Sequence, residues 1–257
     1  MSYLEAIILG IIQGLTEFLP VSSSGHLVLA EAVLKVKEPG VSFELLVHVG
    51  TLLAVLVYFF RPLVRLVKAV YTPRMHTERR MIGLLILGTV PAALVGLLLE
   101  DFFEAAFSAP ALTAAMLLVT GVLLLSTRFV DKGSKPLSAG SALIMGIGQA
   151  MAIMPGISRS GSTICFGLFS KVQPAQAAEF SFLLSIPAIA GAVILKYEEL
   201  LNISTPLVGP YLAGALAAFV FGLLAVYAVL ATIKRGRFEY FAYYCFAAGA
   251  LGLYLFL

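Results

Sequence analysis

Two short stretches carry most of the candidate chemistry in this chain. Residues 13–26 read QGLTEFLPVSSSGH, and residues 154–163 read MPGISRSGST. In the first, Gln13 and Glu17 are four apart and share a helical face pointing at the break that Pro20 makes. Ser22, Ser23 and His26 follow on the next piece, with Ser23 and His26 three apart so that a helix starting there stacks them on one face. A hydroxyl, an imidazole and a carboxylate are the parts of nucleophilic or acid–base hydrolysis. Three assignments stay open at this level: Ser23 attacks while His26 takes its proton, His26 is itself the nucleophile, or His26 activates water.

The second stretch reads as an anion site. Pro155-Gly156 stops one helix and the residues after it can start another, which leaves free backbone N–H groups and the positive end of a helix dipole facing the break. Arg159 adds a planar fork suited to phosphate oxygens, and Ser158, Ser160, Ser162 and Thr163 add hydroxyl donors, with Ser22 joining them from the first break. The competing structural reading is a serine-rich turn whose Arg snorkels to headgroups. An arginine among apolar segments costs about 2.5–3.5 kcal/mol on insertion scales, a cost that ordinarily marks a site.

The elements that position these stretches are apolar throughout. Of 257 residues 60% are hydrophobic and 12% charged, with a mean hydropathy of +1.01, against about a quarter charged in soluble domains. The fold class is an all-α polytopic membrane protein. Its runs are too long and too continuously apolar for barrel strands, which would alternate over about ten residues. A net charge of +3 with loop-bound Lys and Arg gives nucleic-acid binding no support. Cys165 and Cys245 sit in apolar segments without metal-ligand spacing, as buried thiols would. The start, Met1-Ser2-Tyr3-Leu4-Glu5, lacks the basic region of a cleavable signal.

Along the chain, segments 3–19 and 23–34 flank Pro20 and are each short of the ~20 apolar residues a span needs. They read as a re-entrant helix–break–helix hairpin, whose irregular backbone must be covered by protein. Spans are expected at about 42–60, 80–99 and 109–127; a second hairpin, 139–153 and 160–170, surrounds the second break; three more spans follow at about 175–195, 207–232 and 238–256. The sum is six transmembrane helices and two hairpins. A shift of 136 positions aligns Gly10 with Gly146, Gln13 with Gln149, Ser22 with Ser158, Ser24 with Ser160 and Gly25 with Gly161. The chain is therefore read as a single integral membrane domain of two inverted repeats, about 1–127 and 137–257, with the site where the broken helices meet.

Loop charge sets the orientation. Inner loops at 61–79, 128–138, 171–174 and 233–237, with Arg80 at their edge, hold 13 of the 17 basic residues, including Lys132, Lys234 and Arg235. The outer loops hold Lys35, Lys37 and Lys196 against Glu38, Glu100, Asp101, Glu104, Glu198 and Glu199. The positive-inside rule then places both termini outside. Charge also bears on the ligand, because a lone Glu17 beside an anion repels it unless the carboxyl is protonated or a hard cation intervenes. Mg²⁺ or Ca²⁺ held by Glu17, the Gln13 carbonyl and ligand oxygens would satisfy this.

With both motifs in view, the sequence resembles the undecaprenyl-diphosphate phosphatase family, the bacitracin-resistance type of integral membrane enzyme, over essentially its whole length. The carriers of the resemblance are Gln13-Gly14-Leu15-Thr16-Glu17 with PVSSSGH at 20–26, and PGISRSGST at 155–163. The resemblance implies hydrolysis of undecaprenyl diphosphate to the monophosphate carrier of cell-wall polymers, a divalent-cation requirement, and a place in the bacterial plasma membrane with the active site on the external or periplasmic side. It puts Glu17, Ser23, His26, Ser158, Arg159 and Thr163 on the family's important positions, and Gln13 where many members have Glu. The expected partners are the lipid substrate and the membrane, with a homodimer as an open assembly. A transporter of lipid phosphate would share the inverted-repeat plan and the anion site, but it needs no nucleophile.

Overall fold

Pro, Gly and capping residues divide the chain into helices at nearly every point where the sequence signals a break. The computed structural model describes residues 1–36, 40–130, 133–234 and 236–257; Lys37, Glu38, Lys132 and Arg235 of the loop-charge reading lie outside the described residues. Among those described, the only strand-like pairing is the isolated bridge between Lys135 and Val172.

The first hairpin is α1 (Tyr3–Phe18) and α2 (Ser23–Leu34). A capping box starts α1, with Glu5 N–H donating to Ser2 Oγ and Ser2 N–H to the Glu5 carboxylate. The second is α8 (Ala139–Met151) and α9 (Arg159–Phe169), with Ser138 and Ser141 capping α8 in the same way. The long helices are α3 (Gly40–Tyr58), α5 (His76–Leu98), α7 (Pro110–Ser126), α10 (Pro174–Leu195), α12 (Thr205–Lys234) and α13 (Tyr240–Phe256). Pro110 and Pro174 open α7 and α10 at their first helical position, where a missing N–H costs nothing.

Five of these, α7 together with the 3₁₀ turn Thr127–Phe129 among them, are long and apolar enough to cross a membrane. The sixth expected span, α13, has 17 residues, shorter than the other five. Side chains such as Ile86, Leu94 and Leu98 of α5 are exposed, as a hydrocarbon environment allows and water disfavours.

The inner loop expected at 61–79 contains a helix, α4 (Phe60–Tyr71). Arg61, Arg65 and Lys68 recur at i, i+4 and i+7 and line one face while Val67, Val70 and Leu63 take others, the pattern of a helix lying in a membrane interface. Two short helices, α6 (Glu100–Phe107) and α11 (Tyr197–Leu201), lie in loops expected to be external, and Lys196 Nζ ties them to each other's neighbourhood at 2.7 Å from Glu104.

Helices meet through small residues. A Cβ on Gly10 would collide with the Gly214 carbonyl oxygen of α12, and one on Gly146 with the Gly88 carbonyl oxygen of α5. Thus α1 lies against α12 as α8 lies against α5, each hairpin seated on a helix from the other half of the chain. Close approach of this kind is how helices associate where lipid removes the hydrophobic drive between them. Phe18, Phe59 and Phe182 pack below the first break, with Phe18 edge-on to Phe182 at 5.7 Å between ring centroids.

Candidate active site

The two breaks are built alike and touch. Ser22 caps α2 by accepting from Gly25 N–H at 3.2 Å, and Ser158 caps α9 by accepting from Gly161 N–H at 3.0 Å. In each, the next-but-one serine lies 3.3 Å from the cap: Ser24 from Ser22, Ser160 from Ser158. Ser160 also donates to the Leu19 carbonyl at 3.1 Å, and Gly25 abuts the Cα of Gly156, so the start of each helix is held against the other break. Both turns need left-handed backbone. Gly156 has φ 93° and supplies it without cost, whereas Ser22 at φ 70° is a non-glycine in a strained region worth about 1–3 kcal/mol.

Glu17 is the hub. One of its oxygens, Oε1, accepts from Arg159 Nη2 at 2.6 Å. The other, Oε2, accepts from Ser23 Oγ at 2.6 Å and from Gln13 Nε2 at 3.0 Å. His48 of α3 brings Nε2 to 3.7 Å from Oε2, its Nδ1 being 2.7 Å from the Glu44 carbonyl. Gln13 is fully buried, Glu17 is 6% exposed and Arg159 15%. The site's carboxylate and guanidinium thus neutralise each other where an unpaired charge would cost several kcal/mol. Arg159 is steadied further by Nη1 donating to the Ser181 carbonyl at 3.3 Å.

The structure therefore brings Gln13, Glu17, Ser23 and Arg159 together directly. Ser23 donates to Glu17, in place of the expected partner His26. His26 is three residues along, but its ring is turned to other partners: Nδ1 sits 2.7 Å from the Ser22 carbonyl and Nε2 2.8 Å from Tyr244 Oη. All but one of the hydroxyls expected to surround phosphate are spoken for in this arrangement. Ser22 and Ser158 cap helices, Ser160 holds Leu19, and Thr163 Oγ1 lies 2.6 Å from Ser181 Oγ and donates back to the Arg159 carbonyl at 2.8 Å. Ser162 Oγ is buried and has no hydrogen-bond partner among the described residues.

Three contributors escaped sequence reasoning. Thr120 of α7 donates to the Gly156 carbonyl at 2.8 Å and accepts from Ser158 N–H at 3.0 Å, pinning the second break. Tyr244 engages His26 from α13. For these two no local signal exists, since both sit in ordinary apolar runs. His48 could have been found, because an ionisable residue within an apolar span is itself a signal.

A divalent cation can be tested against the donors present. Among the described residues no three His, Cys, Asp or Glu side chains gather as a metal site. Both Glu17 oxygens already accept hydrogen bonds, one from a cation, and Gln13 adds a single buried oxygen without a partner, Oε1. A hard cation takes about six oxygens, with carboxylates among them. These residues do not fit a resident ion.

The chain matches the family described as Bacitracin resistance protein BacA over residues 6–251. Among its relatives, an undecaprenyl-diphosphatase of Syntrophotalea carbinolica is 45% identical, the alignment covering 98% of each chain. One of Desulforapulum autotrophicum is 41% identical over 98% of each. One of Korarchaeum cryptofilum is 41% identical over 97% of each.

Proposed function

The chain belongs to the bacitracin resistance protein BacA family, and from that footing we propose that it hydrolyses undecaprenyl diphosphate to undecaprenyl phosphate and inorganic phosphate with Ser23 as nucleophile. The reaction recycles the lipid carrier used in cell-wall polymer synthesis. The observation that carries the serine assignment is the 2.6 Å bond from Ser23 Oγ to a carboxylate whose other oxygen is held by Arg159.

In the resting site Arg159 is satisfied by Glu17. An arriving diphosphate offers oxygens that can take the guanidinium in bidentate fashion, and a carboxylate losing that partner becomes a stronger base. Ser23 Oγ then attacks the terminal phosphorus, its proton passes to Glu17 Oε2, and the bond to the bridging oxygen breaks to release undecaprenyl phosphate. Arg159 and the N–H groups at the start of α9 face the charge carried by the transferring phosphoryl oxygens. Water next displaces Ser23 and releases phosphate.

The same reading extends to the membrane. Six helices span, α1/α2 and α8/α9 are re-entrant from opposite sides as members of inverted repeats 1–127 and 137–257, and the site opens outward. The support is the matched capping of the two breaks, the exchanged seating of α1 on α12 and α8 on α5, and the bias of basic residues to one set of loops.

The test is to trap the phosphorylated protein after brief exposure to lipid diphosphate carrying a radiolabelled terminal phosphate. An acid-stable, alkali-labile label on Ser23, absent from Ser23→Ala, is expected. An acid-labile, alkali-stable adduct on His26, or substantial turnover by Ser23→Ala, would sink the serine mechanism. A carrier that moves lipid phosphate without chemistry would release no phosphate at all.

A further inference from the structure

Neither ring nitrogen of His26 is free. A carbonyl only accepts, so the 2.7 Å contact with Ser22 O requires the proton on Nδ1, and the neutral ring then presents Nε2 as an acceptor. Tyr244 Oη, 2.8 Å away, fills that position as donor. The rings are nearly parallel, 9° apart with centroids at 5.5 Å. The neighbouring Cys245 places Sγ 3.8 Å from the Pro20 carbonyl, so α13 is seated on the first break although 218 positions separate Tyr244 from His26. Tyr244 is 49% exposed, so its bond to His26 is open on one side.

The reaction has two protons to place. The first, from Ser23, goes to Glu17, which then cannot take another from water. Within one turn of Ser23 the remaining base is His26, and it can accept only at Nε2, where Tyr244 stands. We propose that Tyr244 relays the proton of the attacking water to His26 in the second half of the reaction, a step that rests on the serine-nucleophile reading above. As the water oxygen bonds to phosphorus, its proton passes to Tyr244 Oη while the phenolic proton moves to Nε2, leaving the phenol neutral before and after. The Ser23 Oγ–phosphorus bond breaks and Oγ takes back the proton held by Glu17. His26 returns to neutrality by losing one proton to phosphate or solvent.

A tyrosine that merely pinned α13 to α2 would affect both half-reactions together, whereas a relay delays only the second. The experiment uses the purified full-length protein and lipid diphosphate labelled at the terminal phosphate, quenched in acid at steady state. Tyr244→Phe should lower turnover about tenfold or more while the fraction of protein labelled at Ser23 rises above wild type. That rise also shows that the variant folds and completes the first step. His26→Gln should behave alike, and the double variant should turn over no more slowly than His26→Gln alone, because the tyrosine acts through the histidine. Wild-type turnover in Tyr244→Phe, a loss of turnover without a rise in label, or losses that multiply in the double variant would each overturn the relay. Failure of the underlying reading is distinct: wild type would carry no label on Ser23.

Discussion

Gln13→Glu offers a direct probe of how the buried charge is balanced. In wild type the Gln13 amide donates to Glu17 Oε2 at 3.0 Å, in a position that is fully buried. A glutamate there replaces a donor by a second carboxylate at the same separation. With an effective dielectric of about 20, two unit charges that close repel by about 5 kcal/mol. The new carboxyl can escape by binding a proton at pH 7, which costs about 4 kcal/mol from an ordinary glutamate and so caps the penalty. Spread over a chain of 257 residues, that corresponds to a fall in Tm of about 10 °C. A divalent cation between the two carboxylates would remove most of it. Thermal unfolding of the detergent-solubilised proteins, followed with chelator and then with Ca²⁺ or Mg²⁺, measures both effects. Wild type should be indifferent to chelator, whereas Gln13→Glu should be destabilised in chelator and recover with the cation. A wild type that loses several degrees on chelation, or a variant equally stable in chelator and cation, would refute the reasoning.

Arg159→Lys keeps the charge but loses the fork that serves Glu17 and phosphate in turn; turnover of the diphosphate lipid should fall by about 10²-fold or more with the protein still folded, and near-wild-type turnover would reduce Arg159 to a point charge. Thr120→Val removes a donor to the Gly156 carbonyl and an acceptor for Ser158 N–H in a buried position; a stability loss of about 1–3 kcal/mol in denaturant unfolding is expected, and no loss would mean that the second break holds itself. In a background lacking Cys165 and Cys245, an impermeant thiol reagent applied to intact cells should label Glu199→Cys and spare Arg74→Cys, and the reverse pattern would invert the topology.

Much was legible in the sequence because membrane helices obey length and polarity rules that operate locally. Apolar runs placed the long helices within a few residues of their observed ends, and Pro20 and Pro155-Gly156 located both breaks, since neither needs a tertiary partner to interrupt a helix. Glu17, Ser23 and Arg159 stood out because charge and clustered hydroxyls in apolar surroundings are costly. The amphipathic α4 was hidden by its charge, which made a helix look like a loop. What the tertiary structure decided is which of these groups face one another. Glu17 and Arg159 are 142 positions apart, and nothing in their spacing says that the carboxylate meets the guanidinium, which is the pairing that leaves no resident place for a cation. Likewise, Ser23 and His26 share a helix face by periodicity, yet a rotamer held by the Ser22 carbonyl and by Tyr244 turns the imidazole away and gives Ser23 to Glu17. Helical spacing fixes where a Cβ lies; only the helices packed around it fix where the side chain points.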